Sequence, residues 1–362
     1  MDQKQRLVWA DLAKGVSVVM VVLLHVRTKH YAHVEWDLTL PIRGAWNVAG
    51  DILSPMTMAV FFAISGYWAG RSLHRPGRLV HHAKTYYYLY VVWLTLSSLF
   101  FWLGPDIQRN GMHDGRGFLV NLLVATSHPW YLYALVVYLL AARWTRNLPA
   151  PAVLAGSAAV AALATSVDWN PALGNLHRLG DCCLFFFIGA RLPTLVDKLA
   201  SAARPLTLTV YGVAFSVLSG AQVLFDLSDV PGVLLLIGLL GIALALTAAV
   251  LAARHGSISR IGTYLGSRTL GIYVIHLPLL AIVHWYVTGP GSGALQPIFK
   301  SNLAAAMFPL VVTAALVAAS LGIHALLLSG RQRWLFRPPP RLLEPRRRQE
   351  RHSVATLPMP AV

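Results

Sequence analysis

The sequence predicts an all-α, polytopic membrane protein with about ten transmembrane helices and both termini in the cytoplasm. Of its 362 residues, 56% are hydrophobic and only 12% are charged, whereas a soluble domain carries roughly 25% charged residues. Windows of ~20 mostly apolar residues, each long enough to cross a ~30 Å hydrocarbon core, recur about ten times along the chain. This composition excludes an ordinary cytosolic enzyme and leaves no room for a separate soluble domain.

The first five predicted helices follow from apolar windows at residues 10–28, 52–70, 86–104, 130–142 and 150–167. The first resembles a signal peptide, but Asp11 and Lys14 interrupt its apolar run and no small-residue cleavage site follows it. Residues 29–51 are predicted to form a long outer loop. The apolar stretch 118–125 is too short to cross, which favours a re-entrant or interfacial segment. The alanine-rich fifth helix is expected to act as a spacer or a lipid contact.

The other five predicted helices cover residues 179–196, 206–225, 231–252, 269–287 and 303–328. Cys182 and Cys183 are adjacent in the sixth helix and point about 100° apart, so a bridge between them is sterically improbable and both are expected to be apolar filling. Residues 1–330 are therefore predicted as one membrane domain. Residues 331–362 are rich in Arg and Pro, which predicts a disordered cytoplasmic tail at the anionic inner leaflet.

The net charge of +16 orients the chain rather than pointing to nucleic acid. With the N-terminus inside, 22 of the 30 Lys and Arg residues fall in cytoplasmic segments and seven fall outside. Cytoplasmic loops of membrane proteins carry the excess of Lys and Arg, so the reversed topology is disfavoured. The cation distribution predicts a multi-pass protein with the lipid bilayer and not nucleic acid as its partner. The expected location is a bacterial inner or plasma membrane.

Ionisable groups inside a bilayer are candidates for function because they are costly to place there. The first helix carries three of them, Asp11, Lys14 and His25. At 100° per residue all three fall within about 60° of one another, on one stripe of the helix. Asp11 and Lys14 are an i,i+3 pair and can neutralise each other. The stripe indicates either a polar site that runs from the inner third outward or an ion pair at a helix start with a histidine at its end.

His276 lies within the ninth predicted helix, between Ile275 and Leu277. An imidazole titrates near neutral pH and suits a general base, although a single buried histidine is more often a satisfied hydrogen-bonding group. Two histidines in different helices at a similar depth, His25 and His276, favour a shared polar cavity. No metal site is predicted, because no His-x-x-x-His or Glu-x-x-His spacing lies on a membrane face.

Ser65 is the other candidate for covalent chemistry. It has no Gly-x-Ser-x-Gly turn around it, as a nucleophile of the hydrolase type has. Small residues such as Ser65 and Gly66 also allow two membrane helices to cross closely, and this packing role is the favoured interpretation.

Five short motifs, in order along the chain, resemble the acyltransferase type 3 family of integral membrane acyltransferases. They are Asp11-Leu12-Ala13-Lys14-Gly15 with a run ending at His25, Phe61-Phe62-Ala63-Ile64-Ser65-Gly66-Tyr67, Trp130-Tyr131-Leu132, Phe186-Phe187-Ile188-Gly189, and Gly271-Ile272-Tyr273-Val274-Ile275-His276. Each motif is weak alone, but the five together follow the family's order and span residues 11 to 276. The predicted number of ten helices also agrees with the family.

The resemblance implies transfer of an acyl group, usually acetyl, from cytosolic acyl-CoA to a hydroxyl of a sugar, envelope glycan or secondary metabolite. It implies His25 as the catalytic base and Lys14, paired with Asp11, as the basic residue of the first motif. It also implies His276 as a second cavity residue. The donor, acetyl-CoA in the simplest case, is a substrate, and no permanently bound cofactor is expected. Some members of the family carry an extra periplasmic esterase-like domain, and this chain is expected to act without one.

The family usually has an Arg-x-x-Arg cluster before the third helix for the phosphates of the donor. The aligned place here reads His81-His82-Ala83-Lys84-Thr85, and the literal match Arg75-Pro76-Gly77-Arg78 comes about six residues early. The predicted phosphate-binding residues are therefore the four cations of this loop, Arg71, Arg75, Arg78 and Lys84.

Two other functions fit the sequence. A polar intramembrane stripe also suits a transporter or flippase of a glycan or lipid, and a structural membrane protein without turnover is the third possibility. An enzyme releases CoA in a manner that depends on an acceptor, whereas a transporter moves its substrate without consuming a thioester.

Overall fold

A computed structural model of the chain describes residues 3–105, 107, 115–124, 129–166 and 176–339. In these ranges the chain forms fourteen α-helices and no β-strand, which confirms the all-α prediction. In chain order they are α1 Gln3–Lys29, α2 Ile42–Gly70, α3 Pro76–Leu103, α4 Gly115–Val124, α5 Trp130–Trp144, α6 Ala150–Ser166, α7 Leu176–Arg191, α8 Pro193–Ser201, α9 Pro205–Leu224, α10 Val233–Ala252, α11 Gly256–Gly266, α12 Thr269–Thr288, α13 Ser292–Phe299 and α14 Asn302–Ser329.

Seven of the described helices are long and apolar enough to cross a membrane on their own, namely α1, α2, α3, α9, α10, α12 and α14. The bent pair α7–α8 would make an eighth span, and α5 and α6 are shorter apolar helices. The protein is therefore a multi-pass membrane protein. The count of about ten crossings, and the side on which each end lies, stay predictions.

The outer surface of α9 shows how the bundle meets the membrane. Leu206, Val210, Val213 and Val217 recur every three or four residues on one face of this helix, and each is more than half exposed. A soluble helix buries such a stripe against its core. On α9 the apolar stripe points away from the bundle, where hydrocarbon replaces water.

The sixth predicted helix, 179–196, is wrong as a single straight element. The chain bends by 80° between α7 and α8. Pro193 lacks a backbone N–H, and its ring disfavours the helical conformation for the residue before it. Leu192 accordingly leaves the helical region, with φ −123° and ψ 49°, and Pro193 begins the next helix.

The outer loop predicted over 29–51 is half helical, because α2 begins at Ile42. The remainder folds over the C-terminal end of α12 and the N-terminal end of α14. Val34 packs with Val287 and Phe299 in a small separate core, and the Asp37 backbone N–H donates to the Phe299 carbonyl at 3.1 Å. The segment predicted at 118–125 is the ten-residue helix α4, which packs against α3.

Helix α1 lies at the centre of the bundle and packs against α2, α10, α11, α12 and α14. Sequence patterning did not predict α11, since it is too short and polar to cross. It packs on α1 through Gly262 and Gly266, which are one turn apart. A Cβ at Gly266 would lie 2.6 Å from the backbone carbonyl carbon of Asp11, so only glycine permits this approach.

The beginning of the predicted tail, 331–362, is structured, in contrast to the prediction. Residues Arg331–Leu335 form a 3-10 helix, and Leu335 and Phe336 are buried. The Trp93 indole N–H donates to the Leu335 carbonyl at 2.8 Å, and the Phe336 ring packs against Trp93 and His324. The Arg- and Pro-rich composition of the whole tail predicted disorder, but Leu335 and Phe336 at its beginning find an apolar site on the bundle. Residues from 340 onward lie outside the described ranges.

The cation distribution, taken with the ten helices, predicts a specific topology. Alkaline phosphatase fused after Arg146 or after the last helix should be inactive, because both sites are expected in the cytoplasm, and fusion after Asp229 should be active. Green fluorescent protein at the same three sites should give the opposite pattern. An odd number of crossings would place the C-terminal fusion outside, and an active phosphatase there would contradict the model of ten spans.

Candidate active site

The inner part of the site is an ion pair on α1. Lys14 Nζ lies 2.8 Å from Asp11 Oδ1, and each side chain is about a quarter exposed. Helix α11 packs against the Asp11–Gly15 segment through Gly262 and Gly266, which fixes the backbone that carries the pair. The Asp–Lys pair predicted from the i,i+3 spacing is therefore present, and it neutralises both charges at this depth.

Two histidines from different helices meet farther along α1. His25 Nδ1 lies 3.0 Å from His276 Nε2, and the two rings stack with centroids 5.1 Å apart. His276 is fully buried at the eighth position of α12. The structure thus brings together the two histidines that the sequence placed at a similar depth.

The hydrogen bonds of His276 define which nitrogen of each ring carries a proton. His276 Nδ1 lies 3.0 Å from the Ile272 carbonyl oxygen, which can only accept, so Nδ1 carries the proton. In the neutral ring Nε2 then accepts, and His25 Nδ1 must be the donor. The lone pair of neutral His25 is consequently on Nε2. His276 holds His25 in this tautomer much as a catalytic carboxylate orients its histidine.

A cavity of about 410 Å³ lies between α1, α2, α3, α5, α7 and α12. Lys14 lines this cavity, whereas His25 and His276 are not among its lining residues. Lys14 and His82 mark its inner end, which is the predicted cytoplasmic end, and Tyr131 and Tyr273 lie deeper. Leu132, Leu135 and Leu139 of α5 form one apolar wall. The cavity therefore combines an apolar wall with a polar inner end, as small-molecule sites do.

A short chain of hydroxyl groups lines the deep part of the cavity. Ser65 Oγ donates to the Phe61 carbonyl at 2.9 Å, and it therefore accepts the hydroxyl proton of Tyr131, whose oxygen is 2.7 Å away. The Tyr273 hydroxyl oxygen accepts the backbone N–H of Tyr131 at 3.3 Å. That N–H belongs to the first turn of α5, where the helix itself offers no acceptor.

Tyr273 links the cavity to the histidine pair. It lines the cavity, and its ring centroid is 6.3 Å from that of His276, one turn farther along α12. Sequence reasoning quoted Tyr131 and Tyr273 within motifs but gave neither a role. The i,i+3 spacing of Tyr273 and His276, which places both on one face of α12, was the available signal.

The Phe-Phe-x-x-Ser-Gly and Phe-Phe-x-Gly motifs form one helix crossing. A Cβ at Gly66 of α2 would collide with the Phe186 carbonyl oxygen of α7, and a Cβ at Gly189 would collide with the Ala63 carbonyl oxygen. The packing interpretation of Ser65-Gly66 is therefore confirmed. This close approach brings Phe186 and Ser65 into the wall of the cavity.

The predicted site residues are not all brought together. Lys14 and His25 are eleven residues apart on α1, a rise of ~16 Å, so the ion pair does not reach the histidine pair. Arg71 donates to the Tyr67 hydroxyl at 3.0 Å, and Tyr67 donates to Asp197 Oδ1 at 2.9 Å.

The three other predicted phosphate ligands, Arg75, Arg78 and Lys84, are exposed. The prediction that all four cations share one loop is wrong, because α3 begins at Pro76 and contains Arg78 and Lys84. Their proximity to the cavity is marked by His82, which lines it. Within the described ranges, no three His, Cys, Asp or Glu side chains converge in a way suited to a metal ion.

The fold and this site define a helical membrane protein with a hydrogen-bonded histidine pair and, one turn away at Tyr273 of α12, a cavity between six helices. A family described as an acyltransferase domain matches residues 7–327, which is most of the chain, and the protein belongs to this family of membrane acyltransferases. The resemblance drawn from the five motifs is thereby confirmed.

Among curated proteins, the chain is similar to Inner membrane protein YcfT of Escherichia coli (strain K12). The two are 25% identical over 165 residues, which is 41% of this chain and 46% of YcfT. The chain thus spans about half the length of this relative. No solved structure is significantly similar to the chain.

The hydrogen-bond pattern predicts that neutral His25 and His276 both carry their proton on Nδ1. Solid-state NMR of protein with ¹⁵N-labelled histidine should show protonated Nδ1 and unprotonated Nε2 signals for this pair. Spectra of His25→Gln and His276→Gln, subtracted from that of the native protein, assign the signals. A proton on Nε2 of His25 would contradict the proposed orientation.

Proposed function

We propose that the protein transfers an acyl group, acetyl in the simplest case, from acyl-CoA to a hydroxyl of a sugar, envelope glycan or secondary metabolite. The observation that carries the proposal is the hydrogen-bonded pair of His25 and His276, which lies next to Tyr273 in the wall of a cavity that Lys14 and His82 also line. Membership of the acyltransferase family supplies the reaction class. The proposal places the protein in a bacterial inner or plasma membrane.

His25 acts as the general base in this proposal. A hydroxyl is a weak nucleophile at neutral pH, and a base within hydrogen-bond reach accelerates its attack by about 10²–10⁴-fold. His25 Nε2 takes the hydroxyl proton while the oxygen attacks the thioester carbonyl carbon. The C–S bond then breaks, and the CoA thiolate takes the proton back from His25. His276 accepts a hydrogen bond from His25 Nδ1 throughout, which stabilises the imidazolium ion.

The donor enters from the inner end. Lys14 and His82 line that end of the cavity. Two exposed cations, Arg78 and Lys84, lie on α3 within one or two turns of His82, and Arg75 immediately precedes this helix. An acyl-CoA can place its phosphates on these cations and extend its thiol arm along the apolar wall of α5 toward Tyr273. The ~16 Å between Lys14 and His25 along α1 is the distance this arm has to cover.

Replacing His25 should abolish transfer. In His25→Ala and His25→Gln, transfer of ¹⁴C-acetyl from acetyl-CoA to an envelope extract should fall by about 10²–10⁴-fold, because neither side chain accepts a proton. His324→Gln is the matched control, since His324 is a buried histidine of α14 outside the cavity. It should keep its activity.

Three results would count against His25 as base or against the function. A His25→Gln variant with more than about a tenth of native activity would make His25 a positioning residue. A native protein that releases no CoA with any envelope or metabolite extract would contradict the enzyme. Movement of a glycan or lipid without CoA release would favour the transporter.

The cations at the beginning of α3 should set the affinity for acetyl-CoA. Replacing Arg75, Arg78 and Lys84 together by Gln should raise the KM for acetyl-CoA about tenfold or more, since each exposed charged contact contributes up to about 1 kcal/mol. The matched control removes three exposed cations elsewhere, Lys198, Arg204 and Arg260. An equal rise in KM in both triple variants would show a general effect of charge rather than a phosphate site.

A further inference from the structure

A second pocket, of about 350 Å³, lies between two loops on the predicted cytoplasmic side. Leu73 and His74 of the loop between α2 and α3 line it, together with Arg146 and Asn147 of the loop between α5 and α6. Its volume is within the range of pockets that hold small molecules. These four residues are not among those that line the internal cavity, so the pocket is a separate feature.

Two helices run from the internal cavity to this pocket. On α2, Ala69 lines the internal cavity, and Leu73, four residues later, lines the pocket. On α5, Leu139 belongs to the apolar wall of the cavity, and Arg146 follows it by seven residues, just beyond the end of the helix. Seven residues of helix make nearly two turns and ~10 Å. The pocket therefore lies one to two turns beyond the inner end of the cavity.

The chemistry of the pocket suits a phosphate group. The two segments that supply its lining, residues 71–75 and 143–147, each contain two Arg and neither contains Asp or Glu. The guanidinium of Arg146 can bind a phosphate through two parallel N–H groups, and Asn147 and His74 can donate further hydrogen bonds. An anion in the pocket therefore meets donors and positive charge, with no carboxylate from either segment.

The backbone on both sides of the pocket is held in place. On the α5 side, the Arg191 guanidinium donates to the carbonyls of Thr145 and Arg146, at 3.3 Å each. On the α2 side, the Leu73 N–H donates to the Gly70 carbonyl at 3.1 Å, which folds the loop into a tight turn. A site whose walls are fixed beforehand loses less conformational entropy when a ligand binds.

We infer that this pocket binds the 3′-phosphate at the nucleotide end of the acyl-CoA donor, with Arg146 as its main ligand; this inference rests on the proposed function. The thioester and the 3′-phosphate lie at opposite ends of acyl-CoA. With the thioester inside the bundle and the diphosphate at Arg75, Arg78 and Lys84, the nucleotide extends away from the bundle. The pocket lies in that direction, since His74, which lines it, is the neighbour of Arg75 in the chain.

A donor without the 3′-phosphate tests the assignment. The purified full chain is placed in nanodiscs of phosphatidylcholine, and binding of acetyl-CoA and of acetyl-3′-dephospho-CoA is measured by calorimetry. The native protein should bind acetyl-CoA about tenfold more tightly, because the shorter donor lacks the charge-assisted hydrogen bonds to Arg146. Arg146→Gln should bind the two donors equally, with the affinity that the native protein has for the dephospho form.

The matched control is Arg260→Gln. Arg260 is an exposed arginine of α11 and is not a lining residue of the pocket, so this variant should keep the tenfold preference. Arg146 is also exposed, and its replacement should leave the melting temperature unchanged. If Arg146→Gln nevertheless does not fold, Asn147→Ala takes its place and should reduce the preference for acetyl-CoA.

An anionic lipid headgroup carries a phosphate of the same chemistry, and the composition of the nanodisc distinguishes the two sources. The measurements are repeated with phosphatidylglycerol mixed into the nanodiscs. A pocket for the donor should keep its preference for acetyl-CoA there. Loss of the preference only when phosphatidylglycerol is present would assign the pocket to lipid and overturn the inference.

The possible failures are distinguishable. If the native protein binds neither donor, the proposed function fails. If it binds the two donors with equal affinity in phosphatidylcholine, or if Arg146→Gln keeps the tenfold preference, the inference about the pocket is wrong and the proposed function stands.

Discussion

A polar side chain inside a bilayer has no water to bind and must find its partner in the protein, and this constraint organises the bundle. On α1, Asp11 is satisfied within the helix by Lys14. His25 bonds across to His276 of α12. The 3.0 Å contact fixes α1 and α12 side by side and in one register, and the position of Tyr273 follows from that register.

Close helix crossings provide the framework for these contacts. Gly66 and Gly189 let α2 and α7 approach until backbone meets backbone, and Gly262 and Gly266 do the same for α11 on α1. Without a hydrophobic driving force between helices in lipid, such tight van der Waals packing is what holds them together. Ser65, which precedes Gly66, and Lys14, on the segment of α1 that α11 packs against, consequently line the cavity in fixed positions.

The sequence predicted features that depend on the residues of a single helix. The 100° rule placed Asp11, Lys14 and His25 on one stripe, and the described helices include a counterpart of every predicted span. The predictions failed where local chemistry was passed over: Pro193 signals the 80° bend, and the Gly262-to-Gly266 spacing is typical of a close crossing.

The contact between Tyr273 and α5 had no sequence signal strong enough to find it beforehand. The Tyr273 hydroxyl oxygen accepts a hydrogen bond from the first-turn N–H of α5, 142 residues earlier in the chain. The burial of Leu335 and Phe336 likewise depends on a pocket made by Trp93 and His324 on two other helices. Both features depend on residues that are distant in the sequence, and neither local pattern nor composition reports such contacts.

The docked residues after α14 determine where the chain can be shortened or extended. The Leu335 carbonyl receives the indole N–H of Trp93, which is itself buried, and an orphaned buried donor costs about 1–3 kcal/mol. A truncation before Leu335 would remove that acceptor and also the ring that covers His324. Affinity tags and shortened versions of the protein are therefore best joined or ended beyond Arg337, where the described backbone has already left α3.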